Sequence, residues 1–134
     1  MDISDRSPRA LEIEFPARAA ELADVRHALR DWLAENTADP DRAYDLLLAA
    51  SEACTNSVEH GHREDGRVIT LRAEIDGRKV CITITDGGTW YPADESADSN
   101  RGRGLMLIKA LVPDTRVIVG DTGTIVELSA PLPS

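Results

Sequence analysis

Ser51-Glu52-Ala53-Cys54-Thr55-Asn56-Ser57-Val58-Glu59-His60-Gly61 is the stretch on which the reading of this chain turns. It follows five apolar residues, Leu46 to Ala50, in what reads as a helix. Glu52 and Asn56 are four residues apart, so on a helix they share a face, one turn apart. His60 continues that stripe. A polar pair at this spacing ordinarily lies on a solvated face. Here the preceding turns are nearly all apolar, so the helix is expected to be largely buried. A buried carboxylate and a buried amide are costly unless something pairs with them. The expected partner is a ligand or a metal.

Working outward, the 134 residues are enough for about one domain with a real core. Hydrophobic residues make up 42% and aromatics 4%, so that core must be aliphatic. The formal net charge of −9 speaks against nucleic acid as a partner, because a phosphate backbone calls for a basic footprint. It leaves room for a nucleotide, since distant surface charges are screened beyond about 8 Å. Cys54 and Cys81 form no CxxC pair and read as buried, reduced thiols, which suits a reducing cytoplasm. There is no apolar signal core at the N-terminus and no run of 18 apolar residues, so no membrane span is expected.

Residues 1–9 are polar and are expected to fray. Leu11, Ile13 and Phe15 alternate with Glu12 and Glu14, the pattern of a half-buried strand ended by Pro16. Residues 19–36 read as a helix with Leu22, Val25, Leu29, Trp32 and Leu33 on one stripe. Asp39 is placed to cap the next helix, with Pro40 at its first position and Gly61 just past its end. Val68 to Ile75 and the segment carrying Val80, Ile82 and Ile84 read as a hairpin turning at Asp76-Gly77. Residues 89–101 have no periodicity and read as a loop. A helix follows, containing Leu105 to Ile108, Ala110 and Leu111 and stopped by Pro113. Arg116 to Val119 and Ile125 to Leu128 complete the strands, joined by a turn at Gly120 to Gly123. The order β-α-α-β-β-loop-α-β-β predicts an α+β fold: a mostly antiparallel sheet with helices on one face. The other face is left for solvent or a partner.

Three polar clusters ask for one explanation: Glu52 with Asn56, Asp86-Gly87-Gly88 at a strand end, and Gly102-Arg103-Gly104 at a helix start. A helix N-terminus with glycines offers free N–H groups to phosphate and lets the backbone come close. Each cluster alone is weak. Asp-Gly-Gly is usually a turn and Gly-x-Gly usually a joint. Their order and spacing together are far more specific. No G-x-x-x-x-G-K-[ST] loop is present.

These residues resemble the GHKL ATP-binding superfamily, and more closely its anti-sigma-factor serine kinases, the RsbW and SpoIIAB type. The segment Ser51 to Gly61 resembles the family's N-box, E-A-x-T-N-x-x-x-H-G. Asp86-Gly87-Gly88 resembles its first glycine box, Gly102-Arg103-Gly104-Leu105 its second, and Gly123-Thr124 its closing Gly-Thr. The resemblance spans nearly the whole chain and implies a single ATP-binding domain over residues 1–134. That domain would be a two-layer sandwich of the Bergerat type, with about five strands and about three helices.

The resemblance also implies roles. Asn56 would hold Mg²⁺ through its amide oxygen. Asp86 would accept from the adenine amino group, with Gly88 against the base and Thr124 nearby. Residues 89–101 would form a lid, and Arg101, Gly102, Arg103 and Gly104 would line the phosphates of ATP. Glu52 would be the general base toward a serine hydroxyl. His60 would either touch a phosphate or Glu52, or simply cap and pack. Trp90 or Tyr91 would cover the pocket or anchor the lid. The implied function is an ATP-dependent serine/threonine-protein kinase and anti-sigma factor in the cytoplasm. It would phosphorylate a STAS-domain anti-anti-sigma protein, sequester a sigma factor, and pair with a second copy through its sheet. The first glycine box departs from the family's spacing at Thr89-Trp90, and the lid is short. An alternative is therefore a non-catalytic ATP-binding module that acts by partner binding. The catalytic domain of a histidine sensor kinase is a third reading.

Overall fold

The computed structural model describes residues 10–37, 39–60, 68–86, 99–120 and 123–131, with the side chains of His60, residues 99–104 and Gly120 excepted. Within them the chain runs β1 (Leu11–Pro16), a single 3-10 turn (Ala19–Glu21), α1 (Leu22–Asn36), α2 (Pro40–His60), β2 (Val68–Asp76), β3 (Lys79–Asp86), α3 (Ser99–Leu111), β4 (Asp114–Gly120) and β5 (Gly123–Pro131). The expected frayed start, Gly61, and Gly87, Gly88 and the loop up to residue 98 lie outside the described residues.

The five strands form one sheet in the order β1-β2-β3-β5-β4, every pair antiparallel. Residues two apart share a face of a strand, so the register lines up rows across the sheet. One row is Ile13, Leu71, Ile84, Val126 and Val117. The next is Leu11, Ala73, Ile82, Leu128 and Thr115. These rows carry the aliphatic core that the composition required, with Leu71, Ile82, Ile84, Val126 and Leu128 almost wholly buried. Each such side chain is worth about 1.5–3 kcal/mol relative to exposure. The opposite face is polar around Arg72, which donates to Glu12 at 3.0 Å and Glu74 at 3.2 Å. That exposed trio contributes little to stability.

The helices cover the apolar face. In α1, Val25, Leu29, Trp32 and Leu33 are buried, the stripe the spacing predicted. α1 closes on a Thr37 N–H to Leu33 carbonyl bond of 2.8 Å. α2 begins as predicted: Asp41 and Arg42 N–H groups donate to Asp39 Oδ1 at 3.0 and 3.3 Å, and Pro40 needs no N–H partner. Leu46, Ala49, Ala50 and Ala53 are fully buried along α2. α2 is the central helix, packing on β2, β3 and β5 and against both α1 and α3.

Two boundaries and one burial differ from the sequence reading. The β2–β3 turn is Gly77-Arg78, one residue later than Asp76-Gly77, because Asp76 still pairs with Lys79. Gly77 takes the positive φ of 65°. α3 starts at Ser99, so residues 99–101 belong to the helix and Gly102 to Gly104 lie inside it. The glycines misled the reading because glycine disfavours helix interiors by about 1 kcal/mol. Finally, Cys81 is only half-buried, on the polar face of the sheet with its Sγ 3.7 Å from Ser129 Oγ, so just one of the two thiols is a core residue.

Candidate functional site

The second half of α2 turns polar while still packed. Asn56 is 3% exposed and Ser57 is 1% exposed, whereas Glu52, one turn before Asn56, is half-buried. The two sides of this segment follow from helix geometry. Leu46, Ala50, Ala53 and Ser57 fall on the stripe that meets the sheet, and Glu52 and Asn56 on the flank beside it. Thr55 bonds back to its own helix, its hydroxyl donating to the Ser51 carbonyl at 2.9 Å.

Among the described residues, the Asn56 Nδ2 and Ser57 Oγ atoms are buried without a hydrogen-bond partner. An orphaned buried polar group costs about 1–3 kcal/mol. Two of the three such atoms among the described residues sit on the turn that the sequence singled out, and the third, Thr37 Oγ1, lies just past the end of α1. A Mg²⁺-bound polyphosphate fits what Asn56 presents. Its amide oxygen is the hard ligand that Mg²⁺ prefers, and its amide nitrogen is a donor for a phosphate oxygen. Among the described residues no group of three or more His, Cys, Asp and Glu could hold a metal ion.

Beside Ser57 in the chain's helical layer, Cys54 is also buried, and desolvation pushes its thiol up from 9.0 to about 12. It is therefore a neutral, inert packing group rather than a nucleophile.

The sheet holds the second group of candidate residues. Asp86 ends β3 and pairs with Thr124 on β5, and both are buried, at 4% and 1% exposure. The row they belong to is the last one on the helix-facing side: Phe15, Ile69, Asp86, Thr124 and Val119. A carboxylate at the end of a central strand is the acceptor an adenine amino edge needs. Of the other predicted residues, Arg101, Gly102, Arg103 and Gly104 occupy the first turns of α3. Gly88, Trp90 and Tyr91 lie outside the described residues. His60 is the last residue of α2. Ser57 was missed; its place on the buried stripe, four residues after Ala53, was the signal that could have found it. Among the described residues an apolar groove of about 360 Å³ lies elsewhere, between Leu33 and Thr37 of the α1 end and Ala43 and Leu47 of α2.

A family model described as the histidine kinase-like ATPase domain matches residues 15–130. A serine-protein kinase RsbW from Staphylococcus aureus is 32% identical over 123 residues, covering 80% of this chain and 77% of that protein. The chain belongs to the histidine kinase-like ATPase family, and to its RsbW type. The expected two-layer fold is that of the family. An anti-sigma F factor from Clostridium beijerinckii is 37% identical over 84 residues, covering 61% of this chain and 58% of that protein. The solved structure of the RsbU and RsbW domains of a Mycobacterium tuberculosis protein superposes with a TM-score of 0.76 at 31% identity. The match covers 92% of this chain but 32% of that longer one. The SiaB-SiaC complex of Pseudomonas aeruginosa shares the fold at 15% identity, with a TM-score of 0.58 and coverage of 97% of this chain and 98% of that one. No helix among the described residues is long and apolar enough to cross a membrane.

Proposed function

We propose that the chain is an ATP-dependent serine/threonine-protein kinase that doubles as a cytoplasmic anti-sigma factor. Its phosphoryl acceptor would be a STAS-domain anti-anti-sigma protein and its sequestered partner a sigma factor. The observation that carries this reading is Asn56: a buried amide with an orphaned donor, one turn from a half-buried carboxylate at Glu52. The names of the RsbW and anti-sigma F relatives support the choice of reaction.

In this reading residues 1–134 act as one ATP-binding domain. Asn56 holds Mg²⁺ through its amide oxygen, and Asp86 and Thr124 take the adenine edge. Arg101, Gly102, Arg103 and Gly104 line the phosphates from the start of α3. Magnesium, when bound, supplies charge neutralisation on the transferred phosphoryl group. Glu52 orients the acceptor hydroxyl and takes its proton, a contribution of about 10²–10⁴-fold. Little more covalent work falls to the protein, since phosphoryl transfer depends mainly on positioning and electrostatics. The sheet face that the helices leave uncovered is available for a second copy.

Glu52→Gln tests the assignment. It keeps the shape of the side chain and removes the base. Mg·ATP affinity is expected to stay within about twofold while phosphoserine on a STAS-domain protein from the same organism falls by at least the lower end of that range. Undiminished transfer by the variant removes Glu52 from the mechanism. Absence of any transfer by the unaltered chain, with Mg·ATP bound, favours the non-catalytic regulatory module.

A further inference from the structure

The end row of the sheet is sealed at one side and open at the other. Phe15, Ile69, Asp86 and Thr124 are each no more than 4% exposed, while Val119, the next residue in the row, is 41% exposed. Val119 is on the helix-facing side, because it pairs with buried Thr124 and is two residues from Val117, which packs on the core. Its neighbour Ile118 is 42% exposed on the same strand but faces the other way, opposite Ile125. An aliphatic side chain left open on the inner face, beside a buried Asp–Thr pair, is what a flat apolar ring with one polar edge would cover. Val119 stands two strand spacings from Asp86, about 10 Å.

Resting on the ATP-site reading above, we infer that Val119 is the apolar wall of the base pocket and an affinity-determining residue for the nucleobase. The base reaches Asp86 and Thr124 from the β4 side, and Val119 lies against its ring. Sites of this kind join an apolar lining to a few placed polar groups. Val119 supplies lining where Asp86 supplies the polar group.

The matched pair on β4 makes the test. Affinities for adenosine and for Mg·ATP are measured by titration with the unaltered chain, Val119→Ala and Ile118→Ala, with unliganded melting curves beside them. Val119→Ala is expected to weaken both ligands by the same factor, about three- to tenfold, from the methyl groups withdrawn from the base. Ile118→Ala is expected to stay within about twofold. Val119→Asp, which adds a charge to the wall, is expected to weaken adenosine still further. Equal effects at the two positions overturn the inference, as does a Val119 effect seen with Mg·ATP and not with adenosine. An unaltered chain that binds neither ligand overturns the ATP-site reading itself. One that binds both with Val119→Ala indifferent overturns the Val119 assignment alone.

Discussion

Asp86 and Thr124 are direct cross-strand partners on β3 and β5, both buried, in the last helix-facing row of the sheet. Two neighbouring polar residues are held there in one row with Phe15 and Ile69. Replacing Asp86 by Asn keeps the shape and removes the charge. Hydrogen bonds to charged groups are worth about 1.5–3 kcal/mol. ATP affinity is therefore expected to fall about 10- to 100-fold by calorimetric titration, and an unchanged affinity would take Asp86 out of the base pocket.

Asn56 makes an opposed prediction for stability and binding. Its Nδ2 is buried without a partner among the described residues. Leucine has nearly the same shape and no polar atom. Asn56→Leu is expected to stabilise the unliganded chain by about 1 kcal/mol, raising the melting temperature by about 4 °C. The same variant should lose the stabilisation by Mg·ATP, about 2.7 kcal/mol at 100 times the dissociation constant in the unaltered chain. A variant both less stable and still responsive to Mg·ATP contradicts the reading. Loss of function with gain of stability is the usual signature of a residue kept for a ligand.

The two thiols should separate cleanly. Cys54 is buried with its thiol pushed up to about 12, and Cys81 is half-buried on the sheet's polar face. With a thiol-specific chromophoric reagent at neutral pH, one equivalent should react in the folded protein and the second only on unfolding. The raised pKa also sets a sign for alkaline stability. The folded state favours the protonated thiol, so its contribution is complete below 9.0 and is lost as pH rises from there through about 12. Replacing Cys54 by Ala should flatten that part of the stability curve.

Gly77 is held at φ 65° in the two-residue turn between β2 and β3. Gly77→Val forces a side chain into a left-handed conformation and should cost about 1–2 kcal/mol in urea unfolding, with an unchanged denaturant slope. No loss would mean that the turn rearranges.

What was legible in the sequence followed from local chemistry. α2 was legible because Asp39, Pro40 and the apolar run from Leu46 to Ala50 all act within one helix. The strand faces were legible because alternation is a property of each strand. The misplaced turn at Gly77 and the late start given to α3 share a cause: a glycine reads as a boundary, whereas α3 runs through Gly102 and Gly104 and packs against α2. The apolar run of α3 also misleads, since Met106 is 71% exposed although Ile108 and Val112 are buried. The place of Val119 in the Asp86 row was out of reach. It depends on the register of β4 on β5 and of β5 on β3, which no single strand encodes.

The claim on which the account rests is that the later turns of α2 and the closing row of the sheet meet around one nucleotide. Backbone amide shift mapping by NMR, with Mg²⁺ and a non-hydrolysable ATP analogue added to the isotope-labelled chain, tests it most directly. The predicted result is a single set of shifts centred on Glu52, Asn56, Asp86, Val119 and Thr124. Shifts centred instead on Leu33, Thr37, Ala43 and Leu47, around the groove between α1 and α2, would contradict it.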